Sequence, residues 1–410
     1  MTIYQRITFT IAFLLLSAPL YSFQINYQAM RQAGMGNVGT GWVLDASSAF
    51  YNPSALALLY GNHLQLGSCA IQRYVAFQAQ YPNAYATLMN PNLLTPLYGY
   101  AAFHPTHDSP FGFGLAVNTP FQTNVQWEPD WKGRFIVQNH SISTLAIQAT
   151  VSLRFNEHVS IGVAPVFCLS GYVHSQSIQI LAPQSIDGSI EFMARGSGWG
   201  ANVGIMYRAN ERFSIGASYR SAIDMQYKKG QVTFNVPATA KNYYPNQPFS
   251  THFRLPSVAS IGFAYRPRVG VLIAADFNYV GWQVFDSLTI AYTTKDISYN
   301  GYKDVMNFRN SYTAKLGVEA MPKHFLALRA GAYFELSPVR DEYVSPSYPD
   351  ANKIALTGGI GIVIGQKLYI DLAGEYSFTG DRTSLYKQAA FAGVYKANGY
   401  MGGGGVRYTF

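Results

Sequence analysis

The chain has 410 residues and a formal net charge of +8, yet only 12% of it is charged, whereas Tyr, Phe and Gly number 31, 26 and 37. That is too apolar for an ordinary soluble surface, and no run of eighteen apolar residues occurs after position 20, which excludes membrane-spanning helices. The positive charge is dispersed rather than gathered into basic runs, which excludes a nucleic-acid footprint.

Arg6, the apolar run from Ile7 to Leu16, and the small or turn residues Ser17, Ala18, Pro19 and Ser22 form a secretory signal peptide. Cleavage is expected after Ser22, with residues 1–22 removed and Phe23 as the mature N-terminus.

Residues 23–61 are the only part of the mature chain without strand character. The helix-like run Asn26–Ala33 leads into Gly34-Met35-Gly36-Asn37-Val38-Gly39, which satisfies G-x-G-x-x-G. A dinucleotide fingerprint needs a strand before it, a helix opening at it and an acidic residue about 20 positions later. Here Gly41 and Trp42 follow, and residues 54–61 hold no carboxylate, so the glycines are read as backbone that turns tightly in a confined space. Asp45 is placed to cap a short helix through Phe50, with Tyr51 next. Asn52 is placed to cap a second, with Pro53 at its first position, running to Gly61. This segment is expected to be a hatch inside a barrel built by residues 62–410.

From His63 onward, alternation with period two dominates. Leu145 to Phe155 interleaves aliphatics with Gln148, Thr150, Ser152 and Arg154. Phe213 to Arg220, Met306 to Ala320 and Leu368 to Phe378 behave alike. Short turns are expected at Asn156-Glu157, Asn210-Glu211-Arg212, Arg266-Pro267-Arg268, Pro322-Lys323 and Gly365-Gln366-Lys367. Long loops are expected near 82–96, 127–140, 172–194, 228–250, 293–304, 337–351 and 379–397. Short turns at one end and long loops at the other are the pattern of an outer-membrane barrel. The count gives fourteen antiparallel strands, an all-β transmembrane barrel with apolar residues facing lipid. Val406, Tyr408 and Phe410 close the chain on an aromatic terminal strand, and Tyr207, Tyr219, Tyr265, Tyr376 and Tyr408 are expected in aromatic girdles.

Parity directs Arg154, Arg220, Asp276, Arg309, Lys315, Glu319, Arg329, Glu335, Asp371 and Glu375 into the lumen, where most should pair with one another or with the hatch. Cys69 and Cys168 fall in separate strands as small wall residues, and a disulfide between them is left open. His104-x-x-His107 is the one metal-like spacing among the histidines and lacks a third ligand, so no metal and no cofactor is expected. No nucleophile elbow is present, and the chain is not expected to be an enzyme.

Gly34, Gly36, Asp45, Ala46, Ser47, Phe50, Tyr51, Asn52 and Pro53 together resemble the hatch pattern of the FadL/TodX family of outer-membrane transporters for long-chain fatty acids and other hydrophobic compounds. Trp131-Lys132-Gly133-Arg134-Phe135, Leu255-Pro256-Ser257, Asp276-Phe277-Asn278-Tyr279 and the stretch Ser337 to Lys353 are similar to later family segments. The resemblance implies a fourteen-stranded barrel with its N-terminal residues inside as a hatch. It further implies ligand capture among extracellular loops, hatch rearrangement and lateral release where the third strand kinks. Here that strand is Phe111 to Gln122, and Asn118-Thr119-Pro120 is the expected kink, because Pro120 cannot donate to the ladder. Arg134 and Arg329 are the candidates for a ligand head group. The implied partners are a hydrophobic small molecule, a long-chain fatty acid or aromatic hydrocarbon, and outer-membrane lipid, around a monomer in the bacterial outer membrane. An outer-membrane lipid-modifying hydrolase and a non-transporting structural barrel are the alternatives.

Overall fold

The computed structural model describes residues 24–80, 85–106, 108–180, 186–292 and 302–410. The signal peptide assigned to residues 1–22 and its cleavage point lie outside them, as does His107.

Alternating strands close into a barrel of fourteen staves. They are β1 (His63–Ala79), β2 (Leu97–Phe103), β3 (Phe111–Asn118, then Gln122–Gln126), β4 (Asn139–Arg154), β5 (Val159–Ile180), β6 (Ile186–Arg208) and β7 (Phe213–Arg220, then Ile223–Asn235). There follow β8 (Gln247–Leu255, then Val258–Arg268), β9 (Val271–Val280), β10 (Ser311–Lys323), β11 (Leu326–Glu335), β12 (Lys353–Ile364), β13 (Leu368–Thr379) and β14 (Gly393–Thr409). Each stave pairs antiparallel with the next, and β14 returns to β1 in continuous register from His63↔Thr409 to Ala79↔Gly393. Closure leaves no sheet edge, the condition for β-structure in a bilayer. Outward positions such as Leu66, Leu115, Val163, Ile205, Leu316 and Leu372 are exposed, whereas Gln148, Thr150, Ser152 and Asn202 are buried within. That is the apolar-out, polar-in alternation of a membrane barrel.

Several boundaries differ from the sequence reading. Residues 172–194 are not a loop: β5 and β6 run on to Ile180 and from Ile186 as a tall hairpin. The expected loops at 228–250 and 379–397 are likewise shortened by β7, β8 and β14, since polar residues continue a strand wherever the ladder still supplies partners. The reversals after β8 and β10 fall at Val269–Gly270 and His324–Phe325, beyond Arg266–Arg268 and Pro322–Lys323, which are bulged strand ends. Met306 and Phe308 share parity with Tyr312 but not its environment. The chain leaves the ladder at 306–310, where Asn307 is left-handed, so both side chains are buried among aromatics while Tyr312 faces outward. Within that stretch Arg309 itself is exposed and donates to the Ser337 carbonyl, and Arg154 reaches the carbonyl of Asp108 at the short-turn rim, so these two cations do not enter the lumen network. Cys69 and Cys168 are both buried and free.

Inside the barrel lies the segment from Gln24 to Leu59. It forms two single-turn helices, α1 (Met30–Ala33) and α2 (Ser48–Tyr51), and a 3-10 turn, Pro53–Leu58. The second element is therefore a 3-10 turn ending at Leu58 rather than a helix to Gly61. Room for the segment comes from wall glycines that face inward. A Cβ on Gly317 or Gly331 would collide with Met35 and Gly36, and one on Gly204 or Gly216 with Asn52.

Candidate functional site

The glycine-rich loop is where backbone comes closest to the wall. Gly36 has φ +67, and a Cβ there would sit 2.6 Å from the Leu316 carbonyl oxygen. Only glycine meets both conditions. Gly36 N–H donates to Thr357 Oγ1 at 2.8 Å, and the N–H groups of Gly39 and Thr40 both donate to Asp276 Oδ2 at 2.9 and 3.0 Å. The loop thus does grip an anion, and the anion is a carboxylate of β9.

Asp45 does not cap α2, whose N-cap is Ser47 with no side-chain cap bond; it accepts from the Ser47 N–H one residue before the helix and from Gln32 Nε2. It is also one member of a closed circuit of charges. Arg31 holds Glu319 bidentately, with Nε and Nη2 at 3.0 and 2.6 Å. Glu319 accepts from Arg329 Nε at 2.7 Å, and Arg329 Nη1 lies 2.7 Å from Asp371. Asp371 accepts from Arg407 Nε at 2.7 Å, and Asp45 faces both Arg31 and Arg407 at 3.9 Å. Three acids and three arginines alternate around this ring, which ties the hatch to β10, β11, β13 and β14. Full pairing is what makes buried charge tolerable. Arg329 is therefore held by two carboxylates, and its position as a head-group candidate is already occupied by protein anions.

Asn52 is the second pin. Its amide donates to the Thr40 and Ile205 carbonyls at 2.9 and 3.1 Å, while its oxygen accepts from Ser54 N–H and Oγ. Pro53 then opens the 3-10 turn. Phe50 and Tyr51 stack edge to face with centroids 5.2 Å apart.

β3 is broken at Thr119–Phe121. Between the Asn118↔Ala146 and Gln122↔Ser143 pairs, three residues of β3 face two of β4, a bulge that bends the strand. On the other side, the β2 ladder stops at Tyr98↔Asn118. The chain's own N-terminal residues lie across the break: Gln24 bridges Phe121, Ile25 N–H donates to the Pro120 carbonyl at 2.9 Å, and Gln28 Nε2 donates to the Thr119 carbonyl at 3.0 Å. Asn118 donates to Tyr100 Oη, which in turn donates to the Gln28 carbonyl. Gln24, Ile25 and Gln28 carry no signal of this destination in the sequence, because their partners are backbone carbonyls of a strand about 90 residues away.

Behind the break is a cavity of about 40 Å³ lined by Phe50, Phe121, Val166, Ile223, Val258 and Arg220. It has room for a few waters at most. The Arg220 guanidinium lies over the Phe50 ring at 3.9 Å and donates weakly to the Phe50 carbonyl at 3.4 Å. No carboxylate lies within ion-pair distance of it among the described residues. Lys315, which donates to the Asn37 carbonyl at 3.3 Å, likewise has no ion pair among the described residues, but Arg220 is the one that borders this cavity, and parity alone could not single it out.

Above the cavity the extracellular end is filled with rings. Trp127 and Trp131 stack at 4.5 Å, and Phe285, Phe308 and Tyr348 meet edge to face or tilted. A Cβ on Gly133 would strike the Trp131 indole, which explains the glycine of the Trp131–Phe135 segment. Arg134 projects to the rim, where it pairs with Asp187 at 2.8 Å and covers the Phe135 ring.

Two carboxylates lie within this cap. Burial pushes Asp350 up to about 7 against the opposing hydrogen bond from Ser337, and pushes Asp304 up to about 6. A carboxyl raised in the folded loop binds its proton more tightly there than in the unfolded chain. Loop order is thus favoured as pH falls through about 7 towards 4 and is lost as pH rises through that range. Amide exchange over residues 337–350, corrected for intrinsic rates, is expected to be slower at pH 5.5 than at pH 8, and Asp350→Asn to flatten the difference; equal protection at both pH values contradicts this.

Compared with known proteins, residues 12–410 match the family model described as outer membrane protein transport protein (OMPP1/FadL/TodX). The chain is 21% identical to the long-chain fatty acid transport protein of Escherichia coli K12, with 92% of each chain covered. It is also 21% identical to a putative outer membrane protein of Neisseria meningitidis serogroup B, over 93% of this chain and 91% of that one. Among solved structures, a Pseudomonas aeruginosa FadL homologue superposes with a TM-score of 0.83 at 18% identity, covering 95% of this chain and 100% of that one. The Ralstonia pickettii toluene transporter TbuX gives 0.69 at 14% identity, over 93% and 98%.

Proposed function

The chain belongs to the OMPP1/FadL/TodX family of outer-membrane transport proteins, and from that premise we propose that it passes hydrophobic small molecules inward by lateral diffusion through the break in β3. Ligand enters among the aromatic residues of the extracellular cap, moves to the cavity beside Arg220 and leaves into the membrane between β2 and β3. Amphiphiles with a carboxylate, such as long-chain fatty acids, seat that group on Arg220 and their tail on Phe121, Val166 and Ile223. Arg134 serves at the rim as an earlier contact for the same group.

The observation that carries this reading is the N-terminal segment lying across the wall break. A cavity of about 40 Å³ does not hold an acyl chain, so passage requires Gln24–Gln28 to withdraw, which enlarges the site and opens the wall in one movement. The Asn52–Pro53 corner, anchored to Thr40 and β6, is the fixed end about which the hatch moves. No energy source is involved: an apolar passage takes the place of lipid as solvent and the gradient does the rest. The chain acts as a monomer and carries no enzymatic step in this scheme.

Cysteines at Gln24 and Phe121, bridge partners in the closed state, stand at the spacing a disulfide requires. Oxidation is expected to stop uptake of a radiolabelled long-chain fatty acid, and reduction to restore it. Uptake at the unlocked rate in the oxidised protein would defeat the proposal, and would favour a barrel that does not transport by this route.

A further inference from the structure

On the outer surface β6 and β7 carry two irregularities in succession. Their ladder runs from Ser214↔Arg208 to Arg220↔Asn202 and resumes at Gln226↔Ser197, six residues on β7 against five on β6. The extra residue reverses the alternation of β7: Tyr219 faces out below it, whereas above it Ile223, Met225 and Tyr227 are buried and Gln226 faces out. A second bulge lies between Gln226↔Ser197 and Gln231↔Met193 and leaves Lys228 and Lys229 both exposed, opposite exposed Arg195. Bulges re-aim side chains in this way. A groove of about 910 Å³ results, lined by Leu169, Met193, Trp199, Arg195, Lys228 and Lys229.

Its depth in the membrane follows from β6. Outward positions from Tyr207 through Ile205, Val203 and Ala201 to Trp199 are apolar and exposed, with aromatic residues at both ends, and polar residues begin at Ser197. Trp199 is thus roughly 23 Å above the short-turn end, at about 2.6 Å of height per residue in a strand tilted by about 40°, which matches an apolar band about 25 Å tall. The three cations sit above that band, at the long-loop side, where the outer leaflet presents its head groups. Asp224, bonded by Gln226, is the one carboxylate in the lining, and none of the three cations has an ion-pair partner among the described residues. Like charges set opposite one another across a ladder are destabilising unless an anion lies between them.

We propose that this groove docks one phosphorylated glycolipid of the outer leaflet, a lipopolysaccharide, with its phosphate on Arg195, Lys228 and Lys229 and an acyl chain along Leu169 and Trp199. The site is separate from the transport path and does not depend on it. Native mass spectrometry of the full-length protein titrated with bis-phosphorylated hexa-acyl lipid A tests it, beside the dephosphorylated lipid and phosphatidylglycerol. One lipid A is expected to bind, about tenfold or more tightly than either comparison lipid, since hydrogen bonds between charged groups are each worth roughly a factor of ten. The R195Q/K228Q/K229Q protein is expected to lose that preference while keeping its fatty-acid uptake and its heat-modifiable gel mobility; R195Q alone serves if the triple variant fails to assemble. Equal binding by wild type and variant, equal binding of the dephosphorylated lipid, or equal binding of phosphatidylglycerol overturns the proposal.

Discussion

Glu319→Gln is expected to release the hatch locally while the barrel stays folded. Glu319 is the only acid between Arg31 on the hatch and Arg329 on β11. Neutralising it leaves three arginines facing Asp45 and Asp371, and the new amide presents donors to groups that are themselves donors. Removing one partner from a buried ionic network costs about 3–5 kcal/mol. Because the barrel ladders are untouched, the loss falls on hatch docking. Amide exchange at residues 29–37 should accelerate by about two to three orders of magnitude, with unchanged gel mobility of the folded barrel. The double variant R31M/E319L removes one charge of each sign, leaves the remaining four residues balanced, and is expected to recover much of the protection. If E319Q exchanges within a few-fold of wild type, the ring does not hold the hatch.

Arg220→Gln is expected to remove discrimination between a long-chain acid and its methyl ester. The guanidinium rests on Phe50 with no carboxylate to meet it, so a ligand carboxylate gains a charge-assisted pair without first breaking one, whereas at Arg329 it must displace Glu319 or Asp371. Such a bond is worth about 1.5–3 kcal/mol, roughly ten- to a hundredfold in affinity. The acid should weaken by that factor in R220Q while the ester, which shares its tail and its partitioning into detergent, stays unchanged. Arg220→Lys keeps the charge but loses the planar stacking, and should fall between the two. An acid-to-ester ratio unaltered in R220Q would place the head group elsewhere.

The alternation of apolar residues was readable because the bilayer imposes it on each strand separately: Phe213, Ile215 and Tyr219 face out for the same reason as Leu145, Ile147 and Val151. Where that reading failed, a non-local partner had intervened. Met306 and Phe308 keep the parity of a strand, yet they bury in an aromatic cap drawn from distant loops. The bulges of β7 leave no local mark in Tyr219-Arg220-Ser221-Ala222-Ile223, because the extra residue is defined only against β6. The glycines of residues 34–41 announced close approach but not its object, which proved to be Asp276 and Thr357 from strands more than 230 residues away.

The site was legible to the same extent. Asn52 could be recognised as a cap, since capping is a matter of a few adjacent backbone groups, whereas Asp45 reaches only the residue before its helix; Pro120 could be recognised as a residue that lacks the donor a ladder needs. Arg134 and Arg329 could be recognised as cations, but the carboxylates they meet could not. Residue type and parity determine which charges enter a lumen; which of them cancel depends on distances between strands that the chain order does not contain. The sequence by itself therefore determined the barrel, its membrane face and the presence of an internal segment. Only the tertiary structure decided that Arg31, Glu319, Arg329, Asp371, Arg407 and Asp45 close into a ring, that Arg220 lies beside a cavity with no carboxylate to meet it, and that Gln24 and Ile25 lie across the break in β3. Periodicity is written by the solvent on each strand alone, whereas pairing and occlusion arise only when fourteen strands fix where every side chain ends.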